Sequence, residues 1–183
     1  RRLDETGTVT VATIADPDEL EEFVTWVYET KVSALESVDG HTGWFTTAEH
    51  LKFLTAAASR GLVSGVTAAT ALKVDDQIVA GKLDLDYKNG KTLLITTYNP
   101  KWSRYSPGQL LYQKSIQESF ADGKSKIDFR IGHEAHKERW TNANGMVREF
   151  WVPCSFLGRL YVAWRNSPIR SALRDMARRA SRG

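Results

Sequence analysis

T-Y-N-P-K-W-S-R-Y-S-P-G-Q-L-L, residues Thr97 to Leu111, is the stretch that decides the fold. A strand runs into a loop that ends Arg104-Tyr105-Ser106-Pro107-Gly108, and a helical pattern of amphipathic spacing follows to about Asp122. Ser106 is a favoured N-cap residue, and Pro107 falls at the first helical position, where a missing N–H costs nothing. A helix beginning there aims free backbone N–H groups and a positive dipole end at whatever lies in the corner, so the corner suits an anion. An ordinary capped helix with no ligand remains the alternative reading of these residues alone.

Downstream, Gly123 stops the helix and Lys126 to Ile131 alternates as a strand. The polar cluster I-G-H-E-A-H-K-E-R-W, Ile131 to Trp140, follows it, and Val147 to Val152 reads as a further strand. Upstream, three strands are expected at 65–74, 77–87 and 91–98, joined at Asp75-Asp76 and at Asn89-Gly90, a strong hairpin signal. Before them Thr8 to Ile14 alternates as a strand, and Asp16-Pro17-Asp18-Glu19 forms a capping box for a helix through Leu35. After a polar loop, Thr46-Thr47-Ala48-Glu49 opens a second helix that Gly61 should end. The order β-α-α-β-β-β-α-β-(α)-β-α places one right-handed parallel crossover in an otherwise antiparallel sheet. This is an α/β (α+β) class, with a cleft where the crossover strands diverge.

At 183 residues, 42% apolar and 26% charged, the chain suits one sizeable globular domain, taken as 1–166, with a basic tail at 167–183. No apolar run approaches the roughly 20 residues that span a bilayer. The start, Arg1-Arg2-Leu3-Asp4, has no signal-peptide character and no initiator Met, as expected for a piece of something longer. A lone Cys154 excludes an internal disulfide and favours a reducing, cytoplasmic setting. The net charge of +3 is unevenly placed: residues 165–183 carry six arginines and one aspartate. There Ser167 and Pro168 start a helix that either docks or meets an anionic membrane surface. The near-neutral body argues against a nucleic-acid partner.

The element order and these motifs resemble the GCN5-related N-acetyltransferase (GNAT) fold, and within it the CelD-like acyltransferases of cellulose and exopolysaccharide production, related to the FemABX peptidyltransferases. The matching residues are Asp76-Gln77-Ile78-Val79-Ala80-Gly81, Tyr98-Asn99-Pro100, Arg104 to Gly108, Leu110-Leu111, Ile127-Asp128-Phe129, Gly132, Glu134 and Lys137-Glu138-Arg139-Trp140. The likeness spans about residues 7–155 and is to the second of two GNAT-like halves, so a preceding half or a dimer mate is an expected partner. It implies transfer of an acyl group from acetyl-coenzyme A or another acyl-coenzyme A to an amine or hydroxyl of a small-molecule, saccharide or peptide acceptor. It implies a cofactor site of Arg104, Tyr105, Ser106, Gly108, Gln109 and Leu110. Leu110 stands where that family's loop carries glycine or alanine, which should restrict approach to the backbone. FemABX-like aminoacyl transfer and a non-catalytic scaffold half are the competing implications.

Direct acyl transfer needs a base at the acceptor and an acid at the departing thiolate. Asp128, between Ile127 and Phe129, faces opposite to both and is either a base in the cleft or a loop anchor paired with Lys137 or Arg104. His133 and Glu134 follow Gly132 and offer proton acceptors near neutral pH. Tyr98, at a strand end, could protonate the thiolate. Lys137, Arg139 and Trp140 could hold the acceptor, the first two through an anionic group. His133 and His136 lack the spacing of a zincin helix, so no metal is expected.

Overall fold

In the computed structural model, residues 2–39, 47–131, 135–148, 150–170, 172 and 176 are described. The chain divides into two compact units, Arg1–Thr141 and Asn142–Gly183. The first holds a five-stranded sheet in the order β1 (Val9–Ile14), β2 (Thr67–Val74), β3 (Gln77–Tyr87), β4 (Gly90–Tyr98) and β5 (Lys126–Asp128). Neighbours are antiparallel except β4 and β5, which run parallel, as the crossover helix requires.

Alternation along the strands sorts side chains onto two faces. On one, Ala69, Ala71, Leu83 and Ile95 pack under α1 (Pro17–Asp39) and α2 (Ala48–Val63), whose Leu20, Phe23, Val24, Val27 and Leu54 are buried there. On the other, Leu72, Val74 and Ala80, with Val79 brought to them by a bulge opposite Leu72 and Lys73, meet Leu111 of α3 (Pro107–Ala121), with Trp102 and Tyr105 against them. An extra residue in β4, between Leu93 and Ile95, makes a bulge opposite Leu83 and Asp84. The face assignment in β4 therefore reverses there.

Several local expectations change. Gly61 lies inside α2, which runs on to Val63 with Ser64 as its C-cap; a Cβ there would come within 2.0 Å of Thr67 Oγ1, so the glycine serves close helix–strand packing. Asp16 caps α1 by accepting Asp18 N and Glu19 N at 2.9 and 3.0 Å, but Glu19 pairs with Lys73 at 3.7 Å instead of reaching back. Tyr87 pairs with Gly90, so the β3–β4 turn is Lys88-Asn89, one residue earlier than expected. Asn89 O then receives Ser125 N at 3.0 Å, anchoring the start of β5.

β5 ends at Asp128 rather than Ile131, because Asp128 Oδ1 accepts Arg130 N at 2.7 Å and Arg130 adopts φ 61°. A four-residue helix α4 (Ala135–Glu138) follows. In the second unit the described residues of 147–152 form no strand. Helix α5 (Phe156–Arg165), which the sequence reading did not assign, is capped by Ser155 accepting Gly158 N at 3.1 Å. Ser167 Oγ accepts Arg170 N at 3.3 Å, in keeping with a helix start there.

Candidate active site

β4 and β5 stay paired only from Gly90–Lys126 to Thr92–Asp128. Beyond that the Asp128 turn carries the chain off while β4 runs on to Tyr98, and the seam opens. Arg130 Nη1 reaches across to Leu94 O at 3.1 Å, a side chain standing in for the missing ladder.

The corner at the far end of β4 is tied down at Asn99. Its N–H donates to Val79 O at 2.9 Å and its Oδ1 accepts Lys101 N at 3.1 Å, starting a 3-10 turn over Pro100–Tyr105. Within that turn Trp102 and Tyr105 rings lie 5.8 Å apart, and the exposed Arg104 guanidinium sits 4.6 Å from the Tyr105 centroid. Ser106 does not cap α3 with its hydroxyl: it is left-handed at φ 53° and ψ 48°, and its carbonyl instead accepts Gln109 N at 2.9 Å and Leu110 N at 3.4 Å. Gly108 N–H is the donor at this corner that finds no backbone acceptor among the described residues.

Gly108 is buried against β4. A Cβ there would lie 3.4 Å from Tyr98 Cδ1 and 4.0 Å from Thr96 Cγ2. Thr96 itself has a buried Oγ1 with no hydrogen-bond partner among the described residues. A helix N-terminus favours an anion, and a buried hydroxyl without a partner is a polar group still to be satisfied. Leu110 is 39% exposed and Leu111 takes the buried position, so the bulkier residue does not disturb the packing of α3. These residues fit a phosphate-bearing co-substrate.

The other expected site residues lie along the chain after β5. Asp128 is half-exposed and spends Oδ1 on Arg130 N, with Lys126 Nζ 4.0 Å away; it pairs with neither Lys137 nor Arg104. Lys137 Nζ donates to Ile131 O at 3.1 Å, Arg139 is exposed, and Trp140 Nε1 is buried without a hydrogen-bond partner among the described residues. Tyr98 is 42% exposed and touches the Gly108 position, which joins it to the corner group Arg104, Tyr105, Ser106, Gln109 and Leu110. His133 and Glu134 lie outside the described residues.

Behind the corner is a group that the sequence reading missed. Lys82 and Asp84 of β3 are fully buried and hydrogen-bonded at 2.7 Å. Ser115 of α3 joins both, taking a hydrogen bond from Lys82 Nζ and donating to Asp84 Oδ2 at 3.1 Å. Glu118 Oε2 lies 3.6 Å from Lys82 and 3.7 Å from the buried Lys91, and Asp86 pairs with Lys91 at 3.8 Å and with Lys124. Burial drives the Asp84 carboxyl above its ordinary pKa, while Lys82, Ser115 and Lys91 act against that rise. The visible signal was two charges spaced i, i+2 inside the apolar run Val79 to Leu85, which puts both on one strand face.

On the α1 side of the sheet two hollows meet at Glu29. One, about 610 Å³, lies along α1 between Asp18, Glu21, Glu22, Thr25, Trp26 and Glu29 and involves no residue of α3 or β5. The other, about 300 Å³, is bounded by Glu29, Thr30, Ser33, Asn99 and Pro100, and so reaches the end of β4.

The family profile of the acetyltransferase (GNAT) domain matches residues 1–138. Solved structures share the fold at low identity. A predicted acetyltransferase of Clostridium acetobutylicum with acetyl-CoA is 11% identical, with a TM-score of 0.61 over 78% of this chain and 96% of that one. An aminoglycoside acetyltransferase from an uncultured soil metagenomic sample, in complex with sisomicin, is 13% identical, with a TM-score of 0.53 over 80% and 97%. A ribosomal-protein-alanine N-acetyltransferase of Brucella melitensis is 11% identical, with a TM-score of 0.50 over 78% and 99%. No curated protein sequence matches the chain.

Proposed function

Because this chain belongs to the GNAT acetyltransferase domain family, we propose that it transfers an acyl group from acyl-coenzyme A to an amine. The observation that carries this reading is the corner itself: among the described residues the Gly108 N–H has no backbone acceptor, and Thr96 of β4, packed against the Gly108 position, has a buried hydroxyl with no partner. The pyrophosphate takes the α3 N-terminus, with Arg104, Ser106 and Gln109 around it, and the acyl arm lies along the exposed edge of β4. The acceptor enters from the α1 side, beside Asn99. Carboxylates supply most of the charge along that approach, Glu29 at its inner end, which favours a cationic amine over a neutral hydroxyl.

In the reaction the acceptor nitrogen attacks the thioester carbon, the C–S bond breaks, and the electron pair leaves on sulfur. Tyr98, exposed beside the corner, supplies the proton to the thiolate. The acceptor's proton goes to the polar segment after β5, to His133 or Glu134, with Asp128 at the turn that ends β5. Lys137, Arg139 and Trp140 hold the rest of the acceptor. The motifs between Asp76 and Trp140 support placing the chain with the CelD-like group, as the second GNAT-like half of a cytoplasmic protein of exopolysaccharide or cellulose synthesis.

The test is release of free thiol from acetyl-coenzyme A and a longer acyl-coenzyme A, with spermidine, glucosamine and cello-oligosaccharide as acceptors. Cys154 is exposed and contributes one equivalent of thiol reagent by itself. Amine-dependent release well beyond that equivalent supports the proposal. Coenzyme A binding with no release for any acceptor would make this a non-catalytic half.

A further inference from the structure

We propose that the second unit, Asn142–Gly183, binds an anionic lipid surface through the apolar face of α5. This segment holds eight arginines, no lysine, and only Glu149 and Asp175 as acids, a net +6, which leaves residues 1–141 at −3. The positive charge of the chain is thus concentrated in one short module.

The helix within it is amphipathic in the sense that membrane surfaces read. At 100° per residue, Phe156, Leu160, Trp164, Leu157 and Tyr161 fall within one stripe, and Arg159 and Arg165 lie on either side of it. The stripe is open: Phe156 is 74% exposed, Leu157 75%, Leu160 52% and Trp164 53%. Tyr161 and Trp164 of the stripe make ring contacts. Trp151 and Tyr161 rings are 6.0 Å apart, Tyr161 and Trp164 6.3 Å, and the Arg165 and Arg170 guanidinium groups cover Trp151 and Trp164 at 4.3 and 4.8 Å. An aromatic-aliphatic strip edged by arginines matches the boundary between headgroups and acyl chains, where the apolar side chains leave water and the guanidinium groups meet phosphate.

The alternatives fit less well. Nucleic acid would meet the arginines but leave Phe156, Leu157 and Leu160 in water. A second copy of this chain would bring two modules of net +6 face to face, a like-charge contact that opposes association. No helix among the described residues is long and apolar enough to cross a membrane, so the attachment is peripheral.

The experiment is flotation of the full chain with vesicles of phosphatidylcholine alone and with one-third phosphatidylglycerol, at low and high salt. It is repeated for Leu160→Asp, Leu157→Glu and Arg159→Gln, each checked by circular dichroism and melting. We expect flotation only with the phosphatidylglycerol vesicles, lost at high salt, reduced at least tenfold by either stripe variant and several-fold by Arg159→Gln. Flotation indifferent to phosphatidylglycerol, or unaltered in both folded stripe variants, overturns the proposal. So does an absence of flotation accompanied by sedimentation as a dimer that Leu160→Asp returns to monomer, which would give the face to a second copy. None of these readouts depends on coenzyme A, so the inference stands or falls apart from the acyl-transfer reading.

Discussion

Lys82→Met is the perturbation on which the buried pair can be judged. Asp84 is 0% exposed; Lys82 Nζ at 2.7 Å and Ser115 Oγ at 3.1 Å are its hydrogen-bond donors among the described residues, and its Oδ1 has none. Removing the ammonium leaves a carboxylate in the interior with one hydroxyl for company. Breaking a buried pair from one side costs about 3–5 kcal/mol, a large part of a typical total of about 5–15 kcal/mol.

The pH dependence has a defined sign. Burial already holds the folded Asp84 pKa above its unfolded value, near 3.9. Its neutral form is therefore the one that the fold favours, and stability falls as pH rises through the folded value. Without Lys82 that value rises further, so the deficit of Lys82→Met is greatest at pH 7–8 and shrinks toward pH 4–5. Urea denaturation of both proteins at pH 7.5 and pH 5, followed by fluorescence and circular dichroism together, measures it. The double change Lys82→Met/Asp84→Leu removes both charges and should recover to within about 1 kcal/mol of the parent. A Lys82→Met deficit below about 1 kcal/mol, or one that grows on acidification, would refute the reasoning.

Gly81→Ala would bring a Cβ to 2.9 Å from Phe23 Cζ and Val27 Cγ2 and 3.0 Å from Trp26 Cζ3, so overpacking should cost about 1–3 kcal/mol in a thermal melt. Thr96→Val removes an unpaired hydroxyl: the melting temperature should hold or rise, while acetyl-coenzyme A affinity falls about fivefold, one lost hydrogen bond. Tyr98→Phe should lower kcat by about a hundredfold with KM for acyl-coenzyme A unchanged, as for a lost proton donor; an unchanged kcat would leave Tyr98 a packing residue.

What was readable in the chain followed from local chemistry. Strand alternation, the Asp75-Asp76 turn, Pro107 and Gly123 located the sheet and crossover helix because each acts within a few residues. The misreadings came from partners distant in sequence. Gly61 resembles a helix stop, but Thr67 presses on it and the helix runs past it. Ser106 has the right side chain for a cap, yet the 3-10 turn before it imposes a left-handed backbone that directs its carbonyl, not its hydroxyl, to the helix.

The strand expected to Ile131 stops at Asp128 because a two-residue hydrogen bond competes with the ladder. The corner proposed for the co-substrate could be picked out because its residues are consecutive in the chain. The Lys82–Asp84–Ser115 group was not, since β3 and α3 are joined only in the fold. The hollow between Glu29 and Asn99 escaped notice for the same reason.

The most direct test is calorimetric titration of acetyl-coenzyme A into the chain and into Leu110→Glu. Position 110 is exposed in the first turn of α3, so the new carboxylate suits the helix dipole while repelling a pyrophosphate. Micromolar binding to the parent, and at least tenfold weaker binding to a variant that melts no lower, is the expected result. No binding at millimolar ligand, or equal affinity in both proteins, would contradict the placement of coenzyme A at this corner.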